Sequence, residues 1–357
     1  MTRNLLVTGG AGFIGSTFVS QAVGRGDQVI VLDALTYAGN IENLSWIKGK
    51  GSFTLIQGNI CNKDLVLKLL HENKIDALIN FAAESHVDNS ISASDIFIQT
   101  NINGTHSLLE AARVYFNSLS YEEKNKFRYV QISTDEVYGD LELDEEKKFS
   151  EKMPYKPSSP YSASKAAADH LVQAWHTTYG LPTIITNCSN NYGPRQFPEK
   201  LIPRMISCAL TDKDLPIYGD GKNVRDWIHV EDHCSGIMLA LEKGIAGEKY
   251  CFGGNAEKSN IDLVNLLCET LDKIEPKRNG QSYKAQISFV KDRAGHDRRY
   301  AIDDSKAENE LGFKRKYNFG DGLKDTVSWY LKKHEFRIEN LKSEDDVRVG
   351  KVLISSF

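Results

Sequence analysis

Apolar residues fall in short, dense runs through the first half of the chain, and each run stops abruptly at polar residues or glycine. Asn4–Thr8, Gln28–Leu32, Phe53–Ile56, Ala77–Phe81, Tyr129–Ile132 and Pro182–Thr186 are rich in Val, Ile and Leu and too short to be helices. They read as strands apolar on both faces, the pattern of a sheet covered on both sides. Between them the period becomes that of an amphipathic helix, from Phe13 to about Arg25 and near 63–73, 95–116 and 161–179. Strands alternating with helices predict right-handed crossovers and a parallel, doubly wound α/β sheet.

The texture changes after about residue 188. Turn-rich segments such as Asn190-Asn-Tyr-Gly-Pro194 and Tyr218-Gly-Asp-Gly221 alternate with helical stretches near 199–211, 231–243, 260–273 and 320–333. The expected layout is a dinucleotide domain over 1–188, to which some later segments return, and a smaller, irregular C-terminal substrate lobe over 189–335. Residues 336–357 form a charged tail with no assigned role. At 357 residues the chain is long enough for two such lobes.

Composition narrows the field. The balance of 44 Lys+Arg against 48 Asp+Glu contains no basic block, which argues against nucleic acid as a partner. No run approaches the roughly 20 apolar residues of a membrane span. Met1-Thr-Arg3 leads straight into an apolar strand, too abruptly for a secretory leader. Six scattered cysteines read as reduced core residues of a cytoplasmic protein.

Gly9-Gly-Ala-Gly12-Phe-Ile-Gly15 sits between the first strand and the first helix. There glycine permits a sharp turn, close approach of bare backbone to a pyrophosphate, and tight helix–sheet packing, which makes this a Rossmann-type dinucleotide loop. The helix N-terminus adds free N–H groups and partial positive charge. Asp33 ends the second strand, where a carboxylate accepts both ribose hydroxyls and repels a 2′-phosphate. No Arg or Lys follows within Ala34–Tyr37, so NAD is favoured over NADP.

Tyr161-Ser-Ala-Ser-Lys165 opens a helix just after Pro160, and a spacing of four stacks the phenol and ammonium on one face. The expectation is that Lys165 lowers the phenol's pKa so that Tyr161 can take a proton from a sugar hydroxyl. Tyr218-Gly-Asp-Gly-Lys222 has the same spacing, but its two glycines make it a turn. Ser133-Thr134-Asp135-Glu136-Val-Tyr-Gly139 follows a strand and therefore faces the ligand crevice of a parallel sheet. Adjacent carboxylates of unequal environment suit an elimination, which needs one base and one acid.

Together with the glycine loop and the Tyr–Lys pair, these residues resemble the extended short-chain dehydrogenase/reductase superfamily. Ala82-Ala-Glu-Ser-His-Val-Asp88, Asn187-Cys-Ser-Asn-Asn-Tyr-Gly-Pro194, Phe197-Pro-Glu-Lys-Leu-Ile-Pro203 and Arg225-Asp-Trp227 are similar to the dTDP-glucose 4,6-dehydratases. The resemblance runs from the first strand to about residue 335. It implies that Tyr161 deprotonates the C4 hydroxyl as hydride passes from C4 to NAD, with Thr134 holding the oxygen. Glu136 would then take the C5 proton, Asp135 would protonate the departing C6 hydroxyl, and hydride would return to C6. Related decarboxylases and GDP-mannose dehydratases commonly carry Thr-Ser-Glu at this strand end, so Asp135 separates this chain from them.

The same resemblance assigns cofactor contacts to Gly9, Gly12, Phe13, Ile14, Gly15, Asp33, Thr36, Asn59, Ile60, Ala82, Ala83, Thr100, Tyr161, Lys165 and Asn191. It assigns the sugar nucleotide to Ser85, Thr134, Asn190, Lys200, Leu201 and Pro216, and to Tyr218, Arg225, Asn260, Arg293, His296 and Tyr300. Arg225 and Arg293 fit a diphosphate, since guanidinium presents a planar fork of donors. Three positions depart from the family: Asn59 for Asp facing adenine, Asn89 for Arg, and Ala294 for Pro. Family members dimerise through the helices here at about 95–116 and 161–179, so a homodimer is expected.

His229-Val-Glu-Asp-His233 invites a metal reading, but the order is wrong for His-Glu-x-x-His and no third ligand is evident, so no metal is expected. Two other functions remain at this point: another sugar-nucleotide modifier, such as a decarboxylase or 4-epimerase, and a non-catalytic NAD-binding regulator on the same fold.

Overall fold

The computed structural model describes residues 2–47, 52–144, 146–293 and 295–333; Ala294 and the 336–357 tail lie outside them. Six strands follow one another in the first half: β1 (Asn4–Thr8), β2 (Gln28–Asp33), β3 (Phe53–Gln57), β4 (Ala77–Asn80), β5 (Arg128–Thr134) and β6 (Thr183–Cys188). With the later strand Lys249–Phe252 they form one parallel sheet, in the order Lys249–Phe252, β6, β5, β4, β1, β2, β3. The sheet is doubly wound, as the alternation of apolar runs predicts. Every residue of β4 and β6 is buried, because helices cover both faces.

The strand order reverses at β1. From there the chain runs outward to β3, then crosses back to β4 on the other side. The loops leaving β1 and β4 therefore diverge over the sheet's carboxyl edge and open a crevice, the usual place for a ligand in this architecture. They nearly touch at its floor: Gly9 has φ +69°, and a Cβ there would stand 2.6 Å from the main-chain nitrogen of Ala82.

Of the apolar clusters among the described residues, two show how the chain divides. Under the sheet, helix Phe13–Gly24 packs against helix Val230–Lys243 through Phe18, Val19, Ala22, Val230, Cys234 and Ile237, all fully buried. Each large side chain so buried contributes about 1.5–3 kcal/mol. The second core joins helices Leu201–Leu210, Asn260–Ile274 and Phe319–Lys332 around Ile206, Leu267 and Leu323. Helix Val230–Lys243 and strand Lys249–Phe252 thus belong to the sheet layer, although they follow the turn-rich region in sequence. That strand is only four residues long, opens with a lysine and holds no Val, Ile or Leu, which hid it from the pattern of apolar runs.

The predicted helix near 95–116 is interrupted. A π-helical stretch, Ile98–Gly104, precedes the α-helix Thr105–Ser118. It brings Asn101 against the main chain of Glu84, whose N–H the Asn101 Oδ1 accepts at 2.9 Å and whose carbonyl accepts Nδ2–H at 3.0 Å. A backbone irregularity of this kind commonly marks a functional position.

Candidate active site

Two adjoining cavities lie over the carboxyl edge of the sheet. The first, about 390 Å³, runs from the glycine loop past Asp33 and Ala82 to Tyr161, Lys165 and Asn191. The second, about 430 Å³, lies between the sheet and the second core and is lined by Tyr218, Arg225, Asn260, Arg293, His296 and Tyr300. Glu136, Asn190, Lys200 and Leu201 line both. All the cofactor positions assigned by resemblance line the first cavity, including Thr36, Asn59, Ile60, Ala83 and Thr100. Of the substrate positions, Ser85 and Thr134 line the first, Pro216 lines the second, and the rest are as already placed.

The groove is shaped by main chain. Gly12 caps the helix Phe13–Gly24 with extended backbone (φ −76°), and a Cβ there would meet only the Gly9 carbonyl, at 3.3 Å. At Gly15 a Cβ would overlap that same carbonyl at 2.2 Å, so Gly15 permits helix and loop to pack. Asp33 closes the loop from the side. One carboxylate oxygen accepts the N–H of Ala11 and the other that of Leu35, both at 2.8 Å, which leaves lone pairs on each for a ligand. Asn59 lines the groove as assigned, and its Oδ1 accepts the N–H of Cys61 at 2.8 Å, which leaves the amide N–H₂ as the freer end. Asn89 donates its main-chain N–H to His86 Nδ1 at 3.3 Å.

The reacting groups are positioned by caps. Ser159 and Ser162 form a reciprocal capping box and Pro160 fills the first helical position of Pro160–Tyr179, so Tyr161 and Lys165 stand on its first two turns. Across the groove, Thr134 ends β5 and its Oγ1 accepts the N–H of Glu136 at 3.3 Å, starting a single 3₁₀ turn that Gly139 terminates at φ +92°. Helix and strand are tied by Asp169, one turn beyond Lys165, whose Oδ2 accepts the hydroxyls of Ser133 at 2.7 Å and Tyr155 at 3.0 Å. Asp169 was not among the sequence candidates, although its spacing from Lys165 put it on the same helix face.

Electrostatics separate the paired carboxylates. Burial pushes the Asp135 carboxyl well up, and the charges of Glu136 and Asp226 push the same way against a single cation, Arg225. Glu136 is raised by burial too, but Arg293, Lys200 and Arg225 all pull it back. Asp135 is therefore the better proton holder and Glu136 the better anion. Tyr161 departs from the sequence expectation. Burial and then the Glu136 charge raise its pKa, with hydrogen bonding to Thr134 a partial offset. The Lys165 ammonium donates to the carbonyl of Ile132 at 2.7 Å, and burial lowers its own pKa against the pull of Asp169. Lysine alone thus does not make Tyr161 a phenolate.

The second cavity is cationic. Lys200, Arg204, Arg225, Lys291 and Arg293 outnumber Asp88, Glu136 and Glu199 in its lining. Arg225 lies 4.1 Å above the ring of Tyr300 and donates to the carbonyls of Val224 and Asp297, both at 2.8 Å, which fixes its plane. Arg293 reaches Asp88 at 3.3 Å. The lip between the cavities is strapped by Lys200, which donates to the Ser85 carbonyl at 2.8 Å, and by Tyr37, whose hydroxyl meets Glu199 at 3.4 Å. Beneath the strap, burial and the Glu199 charge push the Glu84 carboxyl up to about 7. Among the described residues no group of three or more His, Cys, Asp or Glu is placed to hold a metal ion.

The family model described as GDP-mannose 4,6 dehydratase matches residues 6–326. A dTDP-glucose 4,6-dehydratase of Xanthomonas campestris pv. campestris is 55% identical over 326 residues, covering 91% of this chain and 92% of its own. The dTDP-glucose 4,6-dehydratase of Bacillus anthracis, solved in complex with NAD, is 45% identical, with a TM-score of 0.82 over 94% of this chain and 98% of that one. A more distant structure, the UDP-glucose 4-epimerase of Thermotoga maritima, superposes with a TM-score of 0.80 at 28% identity, covering 92% and 99% of the two chains.

Proposed function

The chain belongs to the dTDP-glucose 4,6-dehydratase family of the extended short-chain dehydrogenases/reductases, and on that premise we propose that it is an NAD-dependent lyase acting on dTDP-glucose. Its product is the 4-keto-6-deoxy sugar. NAD fits the first cavity: Gly12 leaves bare backbone where a pyrophosphate approaches, and Asp33 keeps acceptor capacity for ribose hydroxyls. When bound there, NAD would supply the acceptor and later the donor of one hydride.

Tyr161 takes the proton of the C4 hydroxyl, whose oxygen Thr134 orients. Once C4 has also given up its hydride, the C4 ketone acidifies the C5 hydrogen, and Glu136 accepts that proton; C5 regains a proton when the hydride returns to C6. Asp135 donates its proton to the C6 hydroxyl, which leaves as water. Arg225 and Arg293 hold the diphosphate in the cationic cavity. We divide the labour between a cofactor lobe, 1–188 with the returning segment 230–252, and a substrate lobe from the remainder of 189–335.

The observation that carries this reading is the unequal setting of Asp135 and Glu136 beside one phenol. A hydride-only epimerase has no use for such a pair, and a regulator has none for the phenol. Incubation of the protein with NAD and, separately, dTDP-glucose, UDP-glucose or GDP-mannose tests it by mass. Loss of one water from dTDP-glucose is expected; no loss from any of them contradicts it.

We further infer a cytoplasmic homodimer. All six cysteines are free, as a reducing compartment favours, and no helix among the described residues is long and apolar enough to cross a membrane. Ile98, Val114 and Tyr179 are exposed along the segments expected to pair two copies. Sedimentation of the purified protein at twice the chain mass is the expected result.

A further inference from the structure

The two histidines that raised the metal question have separate partners. His229 caps helix Val230–Lys243, accepting the N–H of Glu231 at 3.3 Å, and stacks on Tyr317 at 3.8 Å. His233, fully buried one turn later, places Nδ1 2.9 Å from Oδ1 of Asn191 in the wall of the dinucleotide groove. The direction of that bond is fixed by its surroundings. Asn191 Nδ2 faces the Ser189 carbonyl at 3.0 Å and Cys188 Sγ at 3.3 Å, so the amide oxygen must be the end turned to His233. An amide oxygen only accepts, so the imidazole carries its proton on Nδ1. Its Nε2 then is a bare acceptor, which fits its lack of a partner in the interior.

We propose that His233 is a positioning residue for the cofactor: its Nδ1–H locks the Asn191 side chain from behind, so that this stretch of groove wall is preset for the nicotinamide end of NAD. Gln196 completes the lock by donating Nε2–H to the Asn191 carbonyl at 2.9 Å. Deprived of the histidine, the Asn191 amide oxygen loses the donor that faces it and gains the freedom to turn into the groove. Burial holds the imidazole neutral, its pKa lowered to about 3, so the lock does not open with pH in any working range. The proposal rests on the reading of this groove as the NAD site.

His233→Phe keeps bulk and removes the donor, whereas His233→Asn can present an amide N–H near the Nδ1 position. The Phe variant is expected to bind NAD about tenfold more weakly and to lose it on gel filtration, with kcat at saturating NAD changed by no more than about twofold. The Asn variant should recover most of the affinity, which a purely steric role would not produce. Wild-type affinity in the Phe variant, or no recovery in a folded Asn variant, overturns the proposal. If the Phe variant does not fold, Asn191→Ala is the substitute, and unchanged NAD affinity there overturns it equally. Wild-type protein that bound no NAD would instead remove the reading of the groove, and the lock with it.

Discussion

The two cavities that meet at Glu136 are built by opposite means. The dinucleotide groove is made by backbone: glycines that admit close approach, capped helix ends, and an aspartate that ties the loop through two N–H groups. The sugar-nucleotide cavity is made by charged side chains gathered from positions 88 to 293, among them five Lys or Arg in its lining. A backbone site depends on shape and fails when a methyl group is added. A side-chain site depends on charge and fails when a cation is removed. The reacting residues stand where the two meet: burial raises both carboxyls, and the cations of the second cavity pull Glu136 back from more sides than Asp135.

The largest effects are therefore expected at the junction. Glu136→Gln should lower kcat by about 10²–10⁴, the usual contribution of a positioned base, with NAD affinity unchanged in titration. Asp135→Asn should slow water loss by a similar factor in single-turnover assays while the first oxidation stays close to wild type. Equal slowing of both steps would take the acid role away from Asp135. Arg225→Ala comes next. Losing charge-assisted bonds to a diphosphate should raise KM for the sugar nucleotide by about 10–100-fold and leave NAD binding intact.

Within the groove, two glycines divide shape from packing. Gly12→Ala is expected to weaken NAD binding strongly while lowering the melting temperature by only about a degree or two, since its Cβ meets a single carbonyl at 3.3 Å. Gly15→Ala should lose both NAD affinity and stability, because its Cβ overlaps the Gly9 carbonyl at 2.2 Å. The same outcome for both would contradict a backbone-shaped site.

The smallest effect is on stability against pH. Glu84, with its carboxyl pushed up from 4.5 to about 7, binds a proton in the fold that the unfolded chain has lost. Its contribution is fully present below about pH 4.5 and is lost as pH rises through about 7. Melting temperatures of the wild type should therefore fall relative to those of Glu84→Gln across that window. Parallel curves would show that the strap over the groove does not hold a protonated carboxyl.

This contrast also explains what could be read from the sequence. Rossmann strands, the glycine loop and the Tyr161–Lys165 pair are local patterns, each contained in a few consecutive residues, and the structure brings them together at the sheet edge. Arg225, Arg293 and Tyr300 carry no local pattern, and only the family resemblance singled them out. Asp169 and Asn101 escaped notice because a polar residue inside a helix usually faces solvent, whereas here both are buried and bonded across elements. The phenol's raised pKa was also beyond spacing arguments. They place Lys165 beside Tyr161 but do not reveal that its ammonium is engaged by the Ile132 carbonyl or that burial opposes the charge.

The whole account comes down to oxidation, elimination and reduction of one hexose without its leaving the site. Conversion of dTDP-glucose carrying deuterium at C4, followed by mass and NMR analysis of the product, tests it most directly. The label is expected at the C6 methyl group, with one solvent hydrogen at C5. Deuterium retained at C4, or lost to solvent, would contradict it.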